Sequence, residues 1–99
     1  MRDSGAWYVY VVRCGDGSLY TGIARDVAAR FAMHQRGKGA RYTRSHPPSR
    51  LLATFEYPDR GAALRAEFRI KQLSATDKRA LCRSPEALTA LQSGARPAQ

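Results

Sequence analysis

The sequence is short of acids, nearly free of cysteine and without any long apolar run, and each shortage closes off a class of function. Only 8 Asp and Glu stand against 17 Lys and Arg in 99 residues, a formal net charge of +9 at pH 7. Such a surplus favours a polyanionic partner, nucleic acid first and an anionic membrane surface second. Two cysteines, Cys14 and Cys82, form neither a disulfide framework nor a Cys-x-x-Cys zinc motif, which points to a reducing, cytoplasmic setting. No apolar run approaches the roughly 20 residues of a membrane span. Met1-Arg2-Asp3-Ser4-Gly5 lacks the apolar core of a signal peptide. A soluble protein without a membrane role is expected.

What is present suits one folded unit. The chain is 43% hydrophobic, and 99 residues make one domain over positions 1–99, with a core over about 7–81 and a short helix and frayed tail over 82–99. A domain of this size favours a surface groove over a deep pocket. Neither an internal repeat nor an inter-domain linker is visible. Arginine far outnumbers lysine, which fits fork-like phosphate contacts and equally a codon bias.

The densest stretch runs from Tyr8 to His34. Trp7 to Arg13 is aromatic and β-branched throughout, which predicts a strand with bulky residues on both faces, hence a central one. Cys14-Gly15-Asp16-Gly17-Ser18 supplies turn chemistry, and the chain returns through Leu19-Tyr20-Thr21 to Gly22, where the strand is expected to end. Asp26 is a natural N-cap for a helix from Val27 to about Gln35, worth about 1 kcal/mol over alanine. Val27, Arg30, Phe31 and His34 fall on one stripe of that helix, so Arg30 and His34 project toward the hairpin.

Gly37-Lys38-Gly39 stops the helix, and Ala40 to Arg50, with Pro47-Pro48, reads as an irregular basic connector. Leu51 to Tyr57 predicts a third strand. Asp59 caps a second helix from Arg60 to about Leu73, with Ala63, Ala66, Ile70 and Leu73 as its core stripe and Glu67 at the stripe's margin. Ser74 to Asp77 starts a short helix through Leu81, and Ser84-Pro85 opens a last one to about Leu91.

With these residues in hand, the chain resembles the GIY-YIG nuclease superfamily, in its small stand-alone YhbQ-like branch. Tyr8-Val9-Tyr10 stands at the first tripeptide and Tyr20-Thr21-Gly22 at the second, followed by Arg30, His34 and, on the later helix, Glu67. The resemblance covers about Trp7 to Leu81. It implies an α+β fold, a three-stranded antiparallel sheet flanked by helices. It also implies active-site roles for Tyr10, Tyr20, Arg30 and Glu67, with His34 at a position often held by His or Tyr. The first tripeptide keeps only its final tyrosine, and Thr21 replaces an isoleucine. The chain contains no asparagine, so the one that many superfamily nucleases carry late in the domain has no counterpart.

The implied activity is metal-dependent hydrolysis of phosphodiester bonds, in DNA before RNA. Glu67 would hold one Mg²⁺ or Mn²⁺, Arg30 would fork onto the phosphate, and Tyr10 or Tyr20 would orient or deprotonate the attacking water. His34 would relay that proton. Gly22 would let a phosphate approach the backbone closely, and Tyr8, Arg25, Lys38 and Arg41 are candidate nucleic-acid contacts. Plainer readings stand beside these. The tyrosines could be core, Arg30 could pair Asp26, Glu67 could pair Lys71, and His34 could be a buried, hydrogen-bonded histidine. A non-catalytic nucleic-acid-binding module on the same scaffold, or a partner-binding adaptor using the edge of the third strand or the last helix, are the alternative functions. The oligomeric state is left open.

Overall fold

The computed structural model describes residues 5–83. The expected helix from Ser84 and the tail lie outside the described residues. Strands β1 (Trp7–Cys14), β2 (Leu19–Ala24) and β3 (Pro48–Tyr57) form one antiparallel sheet in the order β2-β1-β3. Helices α1 (Val27–Gln35) and α2 (Arg41–Ser45) lie between β2 and β3; α3 (Arg60–Lys71) and α4 (Ala75–Arg83) follow. This is the α+β architecture of three antiparallel strands flanked by helices.

The central strand is apolar on both faces because both are covered. Val9 and Val11 pack with Phe55, Tyr57, Ala63, Ala66, Ile70 and Leu81, the side of α3 and α4. Tyr10, Val12 and Ala24 pack on the other face against Tyr20, Val27 and Phe31, the side of α1. Strand alternation thus sends neighbouring residues of one segment into two separate apolar clusters. The hairpin turn closes through Cys14 N–H to Ser18 O at 2.8 Å, and the Asp16 carboxylate accepts from both the Ser18 amide and hydroxyl. Asp26 and Asp59 cap α1 and α3 by accepting from Ala29 and Ala62 N–H.

Several sequence expectations are corrected. β2 does not stop at Gly22 but runs on to Ala24, with Gly22 opposite Tyr10 in mid-strand. Ala40 to Arg50 is not irregular. It forms the five-residue α2, and β3 begins at Pro48 rather than Leu51. Proline is tolerated there because β3 is an edge strand and Pro48 sits at its first position, paired with Cys14. Register shifts between Val11 and Val12 and between Arg13 and Cys14 bend β3 along the way, and the Ser49 hydroxyl donates to Arg13 O. α3 closes at Lys71, two residues before the expected end, and α4 runs from Ala75 to Arg83.

Candidate functional site

β1 carries Tyr10 into the centre of the sheet, where it is 1% exposed, and β2 places Tyr20 beside it with ring centroids 6.3 Å apart. The Tyr10 ring crosses the face of Gly22. A Cβ on Gly22 would lie 2.5 Å from the Tyr10 hydroxyl and 3.1 Å from the Tyr20 ring. The space over Gly22, expected to admit a phosphate, is therefore filled by the Tyr10 phenol. The glycine is there for packing.

From α1, His34 is fully buried and reaches the same point. Its Nε2 lies 2.7 Å from the Tyr10 hydroxyl, and its Nδ1 lies 2.6 Å from the Thr43 hydroxyl on α2. Thr43 spends its single hydroxyl proton on Ala40 O at 2.9 Å. It can only accept from His34, so Nδ1 carries the imidazole proton and Nε2 is the free lone pair. Burial, and then the charge of Arg30, push the His34 pKa down from its ordinary value, which keeps the ring neutral. Tyr10 consequently donates to His34. Burial also pushes the Tyr10 phenol up to about 12, with Tyr20 and Glu67 adding to the rise and Arg30 opposing it. At neutral pH the pair is a phenol donating to a neutral imidazole, not a free phenolate.

The other members surround this pair. The Arg30 guanidinium sits beside the Tyr10 phenol, close enough to pull against its raised pKa, and its Nε is buried without a hydrogen-bond partner. α3 rests on the opposite face of β1, yet Glu67 stands at its margin toward β2, and its charge is felt at Tyr10. Glu67 Oε2 is 3.1 Å from Lys71 Nζ, and that ammonium lies 6.0 Å from the Tyr20 ring centroid. Tyr10, Tyr20, Arg30 and His34 thus meet on the α1 face of the β1–β2 pair, and the charge of Glu67 reaches Tyr10 from α3. Among the plainer readings, those for His34 and Glu67 hold: His34 is buried and hydrogen-bonded, and Glu67 pairs Lys71 at i+4. Tyr8 is half-buried on the Tyr10 side of β1, Arg25 is exposed with its guanidinium 5.9 Å from the Trp7 ring centroid, Lys38 is exposed between α1 and α2, and Arg41 is exposed at the start of α2.

α2 braces both aromatic members, which the sequence reading missed. Tyr42 stacks on Tyr20 at 5.9 Å and 16°, and His46 stacks on Tyr42 at 4.2 Å and 9°. Thr43, fully buried, holds the His34 ring. Gly39 makes room for that ring, since a Cβ there would fall 2.6 Å from His34 Cε1 and closer still to Nδ1. The sequence signal for Gly39 was present but read as a helix stop. For Thr43 there was none.

Among the described residues no group of three or more His, Cys, Asp or Glu could hold a metal ion. Glu67 stands as one carboxylate, 17% exposed, beside the Lys71 ammonium, and its charge reaches the Tyr10 phenol. That donor set fits a hard cation that keeps several waters and takes further oxygens from a substrate phosphate, and does not fit an all-protein cage.

Residues 6–80 match the family described as the GIY-YIG catalytic domain. The chain belongs to that family, a nuclease-type class whose members act on nucleic acids. Within it, the chain is similar to proteins named UPF0213. The one from Cupriavidus necator is 51% identical over 82 residues, covering 83% of this chain and 89% of the relative. One from Nitratidesulfovibrio vulgaris is 46% identical over 76 residues, 77% and 68% of the two chains. The solution NMR structure of the UPF0213 protein from Bacillus halodurans is 42% identical, with a TM-score of 0.51 over 85% of this chain and 93% of that one.

Proposed function

We propose that this protein is a divalent-cation-dependent endonuclease that hydrolyses phosphodiester bonds in nucleic acid, DNA in preference to RNA. The observation that carries the reading is the Tyr10–His34 pair. It joins a buried phenol at 2.7 Å to an imidazole nitrogen whose lone pair is fixed toward it, beside the Arg30 guanidinium.

Hydrolysis requires that a water lose a proton as it attacks phosphorus. A free phenolate is not available at neutral pH from a group pushed up to about 12. The pair avoids that need. The Tyr10 oxygen accepts the proton of the attacking water while the phenol passes its own proton to His34 Nε2, so no isolated phenolate forms. Thr43 keeps Nε2 open for that transfer by holding the Nδ1 proton. The imidazolium that results lies near Arg30, and the anionic phosphate seated between them offsets the repulsion. Arg30 would bind the scissile phosphate with its planar fork. Tyr20, half-buried at the rim, would orient the water and the phosphate oxygen. Glu67 would hold Mg²⁺ or Mn²⁺, which supplies positive charge for the phosphate and the leaving oxygen. Lys71 must release Glu67 for this, and as a half-exposed i+4 partner it is weakly held. Tyr8, Lys38 and Arg41 are offered as contacts to the strand on either side.

Free thiols at Cys14 and Cys82 suit a reducing cytoplasmic setting. No helix among the described residues is long and apolar enough to cross a membrane. The test is cleavage of linear and branched DNAs and RNAs with Mg²⁺ or Mn²⁺, by the wild type beside Glu67→Gln. Cation-stimulated cutting that the variant loses is expected. Salt-sensitive binding with no cutting under either cation would replace this reading with a non-catalytic binding module.

A further inference from the structure

Beside the reaction centre lies a second concavity of about 480 Å³, formed where the end of β2 turns into α1 and the start of α3 approaches β1. Arg30 is its shared wall with the Tyr10–His34 pair. Trp7, Ile23 and Met33 give it an apolar side, and Arg25 and Arg60 give it cationic rims. Both rim guanidiniums lie over the indole, with Arg25 at 5.9 Å and Arg60 at 5.7 Å from the Trp7 ring centroid. Cation–π attraction of this kind helps to hold both guanidiniums over the indole.

The guanidiniums of Arg30 and Arg60 share one cleft and repel one another, and the carboxylate on its wall, Asp26, has Oδ1 engaged by the Ala29 amide as the cap of α1. An anion between the arginines relieves that repulsion. An anion alone would leave the apolar side unused. A nucleotide has both parts: a phosphate for the arginine forks and a flat base or sugar for Trp7, Ile23 and Met33.

We infer that this cleft is a nucleotide subsite, holding the phosphate and base next to the scissile phosphate of a nucleic-acid strand. The assignment rests on the nuclease reading only for the word scissile. The indole and the two rim arginines set which stretch of strand is drawn across Arg30 into the reaction centre.

The chain has one tryptophan, and it lines this cleft, so its emission responds to what binds there. The full chain bearing Glu67→Gln is titrated with a short single-stranded oligonucleotide, and in parallel with inorganic phosphate and with an acidic peptide. Oligonucleotide is expected to change Trp7 emission saturably, with phosphate and peptide weak. Arg60→Gln, an exposed position outside the proposed reaction centre, is expected to weaken that binding about threefold to tenfold and to lower the slope of log affinity against log salt by about 1. Arg65→Gln, further along α3 and outside the cleft, serves as the control and leaves Trp7 emission unmoved. In the Glu67-intact chain, Arg60→Gln raises KM and spares kcat. Cleavage of an oligonucleotide that never perturbs Trp7 overturns the subsite and leaves the nuclease reading. An Arg60-dependent Trp7 response without any cleavage overturns the nuclease reading and leaves the subsite. An equal response to phosphate or to the acidic peptide overturns the assignment to a nucleotide.

Discussion

The Tyr10 hydroxyl and His34 Nε2, twenty-four positions apart in the chain, meet at 2.7 Å with the phenol as donor. That direction follows from Thr43, whose only hydroxyl proton goes to Ala40 O and which therefore takes the Nδ1 proton of His34. Protonating Nε2 removes the acceptor. His34 is held below its ordinary value by burial and by Arg30, so cleavage is expected to have an acid limb with its midpoint below about 6.5. A rate profile from pH 4.5 to 9 checks this, and His34→Gln should abolish the limb together with most of the rate.

The same two groups affect stability in opposite pH windows. A lowered His34 pKa means that the unfolded chain binds the proton more tightly, so His34's contribution is present above about 6.5 and is lost as pH falls. Tyr10 is raised to about 12 from 10.0, so its contribution is intact below about 10 and is lost as pH rises through 12. Denaturant titrations at several pH values should show both limbs in the wild type. Tyr10→Phe should lose the alkaline limb.

Thr43→Val keeps the volume and removes the acceptor for the Nδ1 proton. A loss of about 1–3 kcal/mol is expected from the unpaired imidazole N–H, along with a lower cleavage rate. Thr43→Ser should restore most of both. The distinguishing readout is the His34 tautomer by ¹⁵N NMR. It should be Nδ1–H in the wild type and in the serine variant, and mixed in the valine variant.

Gly22→Ala and Gly39→Ala should each cost about 1–3 kcal/mol, because the added methyl must displace a packed ring. Gly22→Ala moves Tyr10 and Gly39→Ala moves His34, so both should lower cleavage out of proportion to a matched destabilisation elsewhere. Chemical denaturation beside single-turnover rates separates the two effects.

Lys71 and the proposed cation compete for one carboxylate. Lys71→Met should therefore lower the Mg²⁺ or Mn²⁺ concentration needed for half-maximal cleavage, while stability changes by less than about 0.5 kcal/mol, as for an exposed i+4 pair. An unchanged cation requirement would remove Lys71 from the site.

The sheet and the two long helices were legible because their signals are local. β1 shows two bulky faces, α1 and α3 show helical apolar spacing, and Asp26 and Asp59 announce the caps. Glycine misled the reading at position 22, where it was taken as punctuation for the strand, although it serves a ring arriving from the neighbouring strand. Proline misled it at 47–48, since an edge position in the sheet cannot be inferred from the residue alone. α2 is five residues long and has no periodicity to detect. Its order comes from Tyr42 stacking on Tyr20 and Thr43 holding His34, contacts that exist only after the fold has formed. The candidate residues Tyr10, Tyr20, Arg30, His34 and Glu67 could be named from the sequence, but the direction of the proton between Tyr10 and His34 could not.

The most direct test of the account is the single-turnover cleavage rate of Tyr10→Phe under saturating Mg²⁺ or Mn²⁺, measured beside wild type with folding checked by circular dichroism. The phenylalanine keeps the ring packed over Gly22 and removes only the hydroxyl that His34 accepts from. A fall of about 10²–10⁴-fold in a folded protein is the expected result, the range for loss of a positioned proton acceptor. A folded Tyr10→Phe that cuts at the wild-type rate would contradict it.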